Sequence, residues 1–366
     1  ITLSGFDGVT GEAMTMGERT PLAAFNAPAS GRMAVAEAIT NIAAAAIDGI
    51  DKIRLSANWM AAAGHAGEDA SLFDTVKTVA NDMCRKLGIA IPVGKDSLSM
   101  RARWQQDGED YQVVAPVSLI VSAFAPVSDA TRQLTPQLQA TNEQSYLLLF
   151  DLGARKNRLG GSSLAHAFNR VGGEAPDIDD PVALGNFFAA IQELSSRDML
   201  LAYHDRSDGG LLATVAEMMF ASRFGVSLQL SGSRESMLAQ LFSEEAGAVV
   251  QVTKGKLTQV QMVLDRHGIA AEAVGRVESK PVLTIRDGDA TPLRFERKDL
   301  QRAWSETSYR IQALRDNPAT AREEYDRILD DDDPGLNAQL TFDANNDICL
   351  QLRGGTKPRV AILREQ

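Results

Sequence analysis

A strand, a tight glycine turn and the start of a helix are predicted between residues 199 and 219. The apolar run 199–203 is typical of a buried strand, and the pair Gly209-Gly210 follows it closely. Apolar side chains then recur at helical spacing: Leu211, Leu212, Val215, Met218 and Met219. Backbone N–H groups and the positive end of a helix dipole face such a turn, so the pattern predicts an anion site.

Two carboxylates and a hydroxyl lie inside this turn segment, at Asp205, Ser207 and Asp208. Carboxylates repel a phosphate unless a divalent cation lies between them, as in nucleotide sites where Mg²⁺ joins carboxylates to phosphate oxygens. The segment therefore favours a magnesium-nucleotide site. The alternative from the residues alone is an ordinary turn, with Ser207 or Asp208 as the helix N-cap and no ligand.

A second candidate metal site lies on a predicted alanine-rich helix over residues 32–47. Glu37 and Asn41 are four residues apart and project from one helix face. Small residues share that face (Ala34, Ala38 and Ala45), so another backbone or a ligand can approach it closely. A carboxylate and an amide oxygen suit a hard cation such as Mg²⁺. The alternative is a surface Glu–Asn pair.

A further glycine-to-helix junction, Gly160-Gly161-Ser162-Ser163, follows a predicted strand over residues 146–152. Such junctions can bind phosphate. The same four residues also fit a capped helix that binds nothing.

Composition excludes several classes of protein. The 366 residues exceed the usual limit of about 250–300 for a single core, which predicts two domains and a tail. The net charge of −11 argues against a nucleic-acid or anionic-membrane surface. No apolar run reaches about 18 residues, so no membrane span is predicted. Only two cysteines, Cys84 in a predicted helix and Cys349 near the end, indicate a protein of the reducing cytoplasm without a disulfide framework.

Pattern changes divide the chain into four predicted parts. Residues 1–135 alternate strands and helices, and they include a strand over 52–60 and a helix over 69–88 capped by Gly88. A strand over 89–93 precedes a polar loop at 94–97. After a polar, proline-containing linker at 130–144, residues 145–298 form a second α/β domain. Residues 299–357 form a charged connector that is helical over 299–333, and residues 358–366 resemble an opening strand.

Both ends are abrupt. Residues 1–6 have the composition of the middle of a strand, and the predicted strand at 358–366 has nothing after it. The sequence is therefore expected to be a piece of a larger protein.

Taken together, the motifs resemble those of the large, single-chain phosphoribosylformylglycinamidine synthase (FGAM synthase) family, specifically its second synthetase repeat. The matching segments span nearly the whole chain: 11–19, the Glu37–Asn41 helix, 55–60, 91–97, 204–210, 242–245 and the closing strand. The combination is specific, whereas each motif alone is only moderately so.

The resemblance implies an α/β (α+β) fold with a PurM-like module, similar to aminoimidazole ribonucleotide synthetase. An N-terminal ATP-binding domain, whose sheet pairs with that of the first repeat to form a barrel, precedes a C-terminal α/β domain. A linker and the first strand of a glutaminase domain follow. The first repeat and the remainder of the glutaminase domain are then the expected partners within the same parent chain.

The resemblance also implies site residues. Glu37, Asn41 and Asp205 correspond to Mg²⁺ ligands of an auxiliary nucleotide site, for which a further acidic ligand precedes Ile1. Ser207, Asp208, Gly209 and Lys95 are expected at the nucleotide, ATP or ADP. Lys95 stands where smaller relatives carry a metal-binding Asn, so no metal role is carried over to it. Gly94 and Ser97 are expected near the substrate, and no catalytic residue is expected within 1–366.

The implied activity is that of a ligase of purine biosynthesis. ATP activates the formamide oxygen of formylglycinamide ribonucleotide (FGAR), and ammonia released from glutamine replaces it. This chain alone is expected to be inactive. Two alternatives remain: a structural nucleotide-binding module without turnover, and a free-standing PurM-like ATP-dependent kinase or synthetase.

Overall fold

The computed structural model describes residues 1–6, 8–230, 232–287, 291–343, 346 and 359–363. The chain forms two compact units, residues 1–305 and 306–366. The first unit contains two α/β domains. Among the described residues, no helix combines the length and the apolar character that crossing a bilayer requires.

The N-terminal domain is built on a mixed sheet. Its strands are β1 (Thr2–Leu3), β2 (Gly11–Glu18), β3 (Arg54–Met60), β4 (Ala90–Ser97) and β7 (Ser118–Val127), in the spatial order β1-β2-β7-β3-β4. β5 (Arg101–Gln106) and β6 (Glu109–Val114) form a separate hairpin. Only β3 and β4 pair in parallel; the other neighbours in this sheet are antiparallel.

Helices cover one face of this sheet. They are α1 (Thr20–Ile42), α2 (Glu68–Lys77) and, after a π-helical stretch at Thr78–Cys84, α3 (Arg85–Leu87). The open face carries exposed apolar side chains, including Met14, Met16, Val93 and Phe124, which are 64%, 59%, 60% and 40% exposed. This open apolar face is the surface that the predicted barrel would require.

The helix predicted over 69–88 is confirmed, with a π-helical middle and Gly88 in the left-handed region at φ 69°. Cys84 is buried inside it, as predicted. Cys349 lies outside the described residues.

Two predictions for this domain need correction. α1 ends at Ile42, not at residue 47, because the backbone N–H of Ala45 bonds the carbonyl of Ile42 and tightens the chain out of the helix. Residues 94–97 belong to strand β4 and not to a loop, because parallel pairing with β3 continues to Met60 and Ser97.

The C-terminal domain contains a sheet whose strands in the described residues are β8 (Ser145–Asp151), β9 (Ala202–Arg206), β10 (Gly225–Leu230), β11 (Gly247–Thr253), β12 (Glu272–Glu278), β13 (Val282–Asp287) and β14 (Leu293–Glu296). Their spatial order is β14-β13-β10-β12-β8-β11-β9. The helices are α4 (Ser163–Ala167), α5 (Pro181–Ser196), α6 (Gly210–Ser222), α7 (Arg234–Phe242) and α8 (Leu257–His267). β9 is therefore an edge strand, paired only with β11 among the described strands.

Helix α9 (Arg297–Arg315) follows β14, and α10 (Pro318–Asp326) lies wholly in the second unit. The rings of Tyr309 and Tyr325 stack there at 4.5 Å. The helical character predicted for 299–333 is thus confirmed as far as Leu329. The strand predicted at 358–366 is not formed at 359–363, because these exposed residues have no neighbouring strand within the described chain.

Candidate functional site: an acidic junction between the two domains

The glycine turn joins β9 to α6. Asp205 lies within the strand, which extends from Ala202 to Arg206 and not from 199 to 203, because β9 pairs with β11 over exactly this stretch. Gly209 and Gly210 have φ values of 79° and 66°, in the left-handed region that favours glycine. Gly209 is the N-cap of α6 and no side chain caps this helix, so the interpretation of Ser207 or Asp208 as N-cap is wrong.

Glu37 lies on the buried side of α1, beside β2. The backbone of Gly17 approaches so closely that an added Cβ would lie 2.2 Å from the carbonyl oxygen of Ala34. The small residues predicted to permit such an approach do so. Glu37 Oε2 then accepts a 2.7 Å hydrogen bond from the N–H of Glu18. Asn41, one turn later, is exposed, and its Nδ2 donates weakly to the carbonyl of Met16 at 3.4 Å.

The two segments meet at the domain junction. The hydroxyl of Tyr203 on β9 donates to the carbonyl of Thr40 on α1 at 2.5 Å. A cavity of about 10 Å³, enough for roughly one water molecule, is lined by both Glu37 and Ser207. The structure therefore brings the helix and the glycine turn together.

Arg19 is a buried cation at this junction. It is 3% exposed and donates from Nη1 to Asp208 and from Nη2 to Glu244, each at 2.5 Å. Its Nε is buried without a hydrogen-bond partner, and Arg19 also lines the same small cavity. Burial alone would lower the pKa of Arg19, but the charges of Glu244 and Asp208 raise it, so the guanidinium remains charged.

The domain junction carries more acidic side chains than basic ones around Glu37. Burial raises the pKa of Glu37 to about 7; the charges of Asp205 and Asp208 add to this rise, against the lowering effects of the Glu18 N–H and Arg19. Arg19 is already held by two other carboxylates. The negative charge of Glu37 and Asp205 is thus only partly compensated by the protein.

His204 sits beside Asp205. Its Nε2 lies 2.8 Å from Glu217 and its Nδ1 lies 3.4 Å from Asp205. Burial would lower the pKa of this imidazole, but hydrogen bonds and charge from the two carboxylates raise it to about 9. Glu217 also accepts a 2.9 Å hydrogen bond from Trp304 Nε1.

The anion site predicted at the glycine turn is altered by a residue to which the sequence assigned no role. Glu244 Oε1 accepts hydrogen bonds from the N–H of Gly209 at 2.7 Å and from the N–H of Ser163 at 2.8 Å. These two N–H groups belong to the two glycine-to-helix junctions that the sequence predicted as phosphate sites. A protein carboxylate therefore already bonds one backbone donor of each junction.

Gly94, Lys95 and Ser97 are not part of the junction. Register places Glu18, Ile120, Asn58 and Lys95 in one row across the sheet. Three strand spacings of about 4.8 Å separate the backbones of Lys95 and Glu18 by about 14 Å. Lys95 Nζ instead lies 3.2 Å from Ser97 Oγ.

Buried and partly buried ion pairs hold the surrounding chain in place. Arg158 binds Glu245 through Nε at 2.6 Å, with both side chains at most 5% exposed. Arg206 donates to Asp151 at 2.5 Å, and Arg32 bonds Asp177 at 2.6 Å. Arg32 and Asp177 come from different domains, as do Arg19 and Glu244.

Three side chains at the junction are candidate ligands for Mg²⁺. Within the described ranges, no three His, Cys, Asp or Glu side chains form a ready cluster for a metal. Glu37, Asn41 and Asp205 nevertheless supply oxygen donors of the kind that Mg²⁺ prefers, and the charge of Glu37 and Asp205 is only partly compensated by the protein. The chemistry of these donors fits the ion, which would need further oxygen ligands from outside this set.

The two domains match two known domain families. Residues 1–126 match the family model described as FGAR-AT PurM_N-like domain, and residues 147–288 match the C-terminal domain of AIR synthase related proteins. The chain therefore contains a PurM-like N-terminal domain followed by a PurM-like C-terminal domain, and the mixed α/β fold class predicted from sequence is confirmed.

Solved structures share this fold. PurL of Thermotoga maritima complexed with FGAR is similar over 81% of this chain and 46% of its own, with 15% identity and a TM-score of 0.63. The same protein complexed with ADP gives 12% identity, the same coverages and a TM-score of 0.58. HypE in the HypE–HypF complex is similar over 80% of this chain and 91% of its own, with 16% identity and a TM-score of 0.54.

The chain spans about half the length of the PurL structures it matches. At these identities the likeness establishes the fold alone. The N-terminal match names the FGAR amidotransferase type of PurM-like domain in particular, which agrees with the resemblance seen in the sequence.

Arg19 and Glu244 are the residues that sequence reasoning missed. Both stand in segments that resemble the family, and Glu244-Glu245 directly precedes a strongly apolar strand. Two acids next to a buried strand are a signal for buried, paired carboxylates, since acids are rarely buried unless paired.

Proposed function

We propose that this chain is the second synthetase repeat of a phosphoribosylformylglycinamidine synthase and binds a magnesium-nucleotide at the domain junction. Glu37, Asn41 and Asp205 hold the cation, and Ser207 contacts the nucleotide. The observation that carries this proposal is the convergence of Glu37 and Ser207 on one cavity, next to acidic charge that Arg19 does not neutralise. The site is auxiliary: it stabilises the repeat and is not where ATP is consumed.

We infer that fewer residues contact the nucleotide than the sequence suggested. The N–H of Gly209 already donates to Glu244, and Lys95 lies on β4, at the other edge of the sheet from β1. Asp208 is paired with Arg19, though its side chain is 73% exposed and lies at the rim. Bound Mg²⁺ would neutralise the phosphate charge in place of the backbone N–H of Gly209, which bonds Glu244.

The match of the first domain to the FGAR amidotransferase type supports the parent reaction. In that reaction the γ-phosphoryl group of ATP is transferred to the formamide oxygen of FGAR and ADP is released. Ammonia then attacks the formamide carbon and loses a proton, and phosphate leaves with that oxygen. Ammonia from glutamine requires a nucleophilic thiolate in the glutaminase. Cys84 does not supply it, because burial raises the pKa of its thiol to about 11.

The expected partners within the parent chain are the first synthetase repeat and the glutaminase domain. The open face of the N-terminal sheet, with Met14, Met16 and Phe124 exposed, supports a sheet-to-sheet contact with the first repeat. Lys95 pairs with Asn58 on the neighbouring strand, on the open face of the sheet. Ser97, two residues further along β4, lies on the same face as Lys95. This supports a position for Ser97 near the substrate once the two repeats are in contact.

A second candidate function is a free-standing ATP-dependent synthetase or kinase. The observation in its favour is the match to HypE over 91% of that chain, since a whole enzyme can have this size and fold. Its nucleotide would then be turned over at the junction and not simply held there.

Two assays separate these proposals. The protein containing this chain in its full length is tested for FGAR-, glutamine- and ATP-dependent formation of the amidine, and residues 1–366 alone are tested for ATP turnover. The first proposal predicts activity in the full-length protein and none in the isolated chain. Substantial ATP turnover by residues 1–366 alone, without amidine formation by the full-length protein, supports the second.

A further inference from the structure

The side chain of Glu244 is joined to three different segments. It follows α7, is 1% exposed, and accepts from Arg19 on one oxygen and from the N–H groups of Gly209 and Ser163 on the other. All three bonds are charge-assisted, which makes each about twice as strong as a neutral hydrogen bond.

An ordinary ion pair accounts for only part of this arrangement. Pairing with Arg19 requires Oε2 alone. The two bonds to Oε1 come from backbone N–H groups at the starts of α6 and α4, where glycine-rich junctions elsewhere bind phosphate oxygens. A carboxylate offers the same kind of acceptor oxygens as a phosphate, with less charge and volume.

We propose that Glu244 is a built-in anion, which occupies the position that a ligand phosphate takes at a glycine turn. It fixes the turn at Ser207–Gly210 in its conformation before any ligand binds, and Arg19 neutralises it. Glu244 is thus a positioning residue for Ser207 and Asp208. One consequence rests on the proposed function: the nucleotide phosphates bind to the cation and to Ser207, and not to the Gly209 N–H.

The direct test is chemical rescue. Glu244→Ala removes the carboxylate but leaves the two N–H donors, the Arg19 guanidinium and a space in front of them. We expect its melting temperature to fall by roughly 5–10 °C. Formate or acetate should then recover about half of that loss, and chloride at equal ionic strength should not.

Glu244→Gln is the matched control. It keeps the volume, so no space opens for an added carboxylate, and its amide cannot neutralise Arg19. It should also melt lower, without rescue by formate. Equal effects of formate on wild type, Glu244→Ala and Glu244→Gln would overturn the proposal, because they would show only a general salt effect.

Hydrogen exchange provides a second measurement that does not need the alanine variant to fold. In Glu244→Met, which removes both acceptor oxygens and keeps much of the volume, peptides covering 159–165 and 207–211 should both exchange faster than in wild type. Glu272→Gln, at a carboxylate that is 55% exposed, is the control and should leave both peptides unchanged. Unchanged exchange in both peptides of Glu244→Met would contradict the role of Glu244. None of these measurements contains nucleotide, so they can succeed or fail independently of the proposed magnesium site.

Discussion

The hydroxyl of Tyr203 and the carbonyl of Thr40, 2.5 Å apart, form a buried hydrogen bond between the two PurM-like domains. Thr40 lies in the last turn of α1, where carbonyls have no partner within the helix. Tyr203 therefore satisfies the end of the helix that carries Glu37 and Asn41. It also fixes this helix against the strand that carries Asp205.

Tyr203→Phe should reduce the free energy of unfolding by about 1–3 kcal/mol, because it leaves the Thr40 carbonyl buried and unpaired. It should also weaken binding of magnesium-nucleotide. Urea denaturation measures the first effect. Tyr146→Phe is the control, since the Tyr146 hydroxyl bonds only the side chain of Gln144 at an exposed position and its loss should cost little. Equal costs for the two variants would contradict this role of Tyr203.

Arg158→Met should destabilise the C-terminal domain by about 3–5 kcal/mol, because it leaves the fully buried Glu245 carboxylate without its partner. Arg155→Met, three residues earlier, breaks an ion pair with Glu272 whose side chains are 77% and 55% exposed. That change should cost about 0–1 kcal/mol. Thermal or urea unfolding of the two variants side by side tests the contrast, and a small loss for Arg158→Met would count against a structural role for the buried pair.

Gly94→Ala tests why glycine stands in strand β4. An added Cβ would lie 2.5 Å from the carbonyl oxygen of Ala57 on the neighbouring strand, so we expect a loss of about 1–3 kcal/mol. Gly185→Ala, inside α5, has its nearest neighbour at 3.6 Å and should stabilise the protein by about 0.5–1 kcal/mol. A Gly94→Ala variant at least as stable as wild type would refute the packing explanation, and would favour a ligand-related role for Gly94.

Asp151 should make stability depend on acid pH. Burial alone would raise its pKa, but the charge and hydrogen bond of Arg206, with the N–H groups of Arg155 and Gly153, lower it below its ordinary value. A depressed carboxyl pKa contributes stability above the unfolded pKa of about 4, and this contribution is lost as the pH falls through the folded value.

Asp151→Asn should therefore be less stable than wild type at pH 7, and the difference should shrink as the pH falls below about 4. Urea denaturation at a series of pH values measures this. A difference that stays constant down to pH 3 would show that the charge of Asp151 is not the cause.

The sequence was informative where a local pattern determines structure. The strand at 145–151, the helix that buries Cys84 and the closeness of Gly17 to the alanine face of α1 follow from apolar periodicity and small residues. Both glycine-to-helix junctions were also found. Element ends were less well predicted: pairing with β11 sets the limits of β9, and pairing with β3 sets those of β4, which are contacts between residues far apart in the chain.

The same reason explains what was missed at the site. Gly209 and Ser163 each looked like a local feature, and only the tertiary fold shows that Glu244 binds both of them and Arg19. A sequence pattern can reveal free N–H groups at a turn, but it does not reveal that another part of the chain already bonds them.

The central claim is that Asp205, with Glu37 and Asn41, binds a magnesium-nucleotide. Isothermal titration of the purified, nucleotide-stripped protein with ADP, in Mg²⁺ and in EDTA, tests it most directly. Asp205→Asn should weaken Mg²⁺-dependent binding by about 100-fold or more, a loss of several kcal/mol. Asp198→Asn, at a carboxylate that is 84% exposed, is the control and should bind as wild type does. Affinity for ADP that is the same in Asp205→Asn as in wild type, or the same in EDTA as in Mg²⁺, would contradict the account.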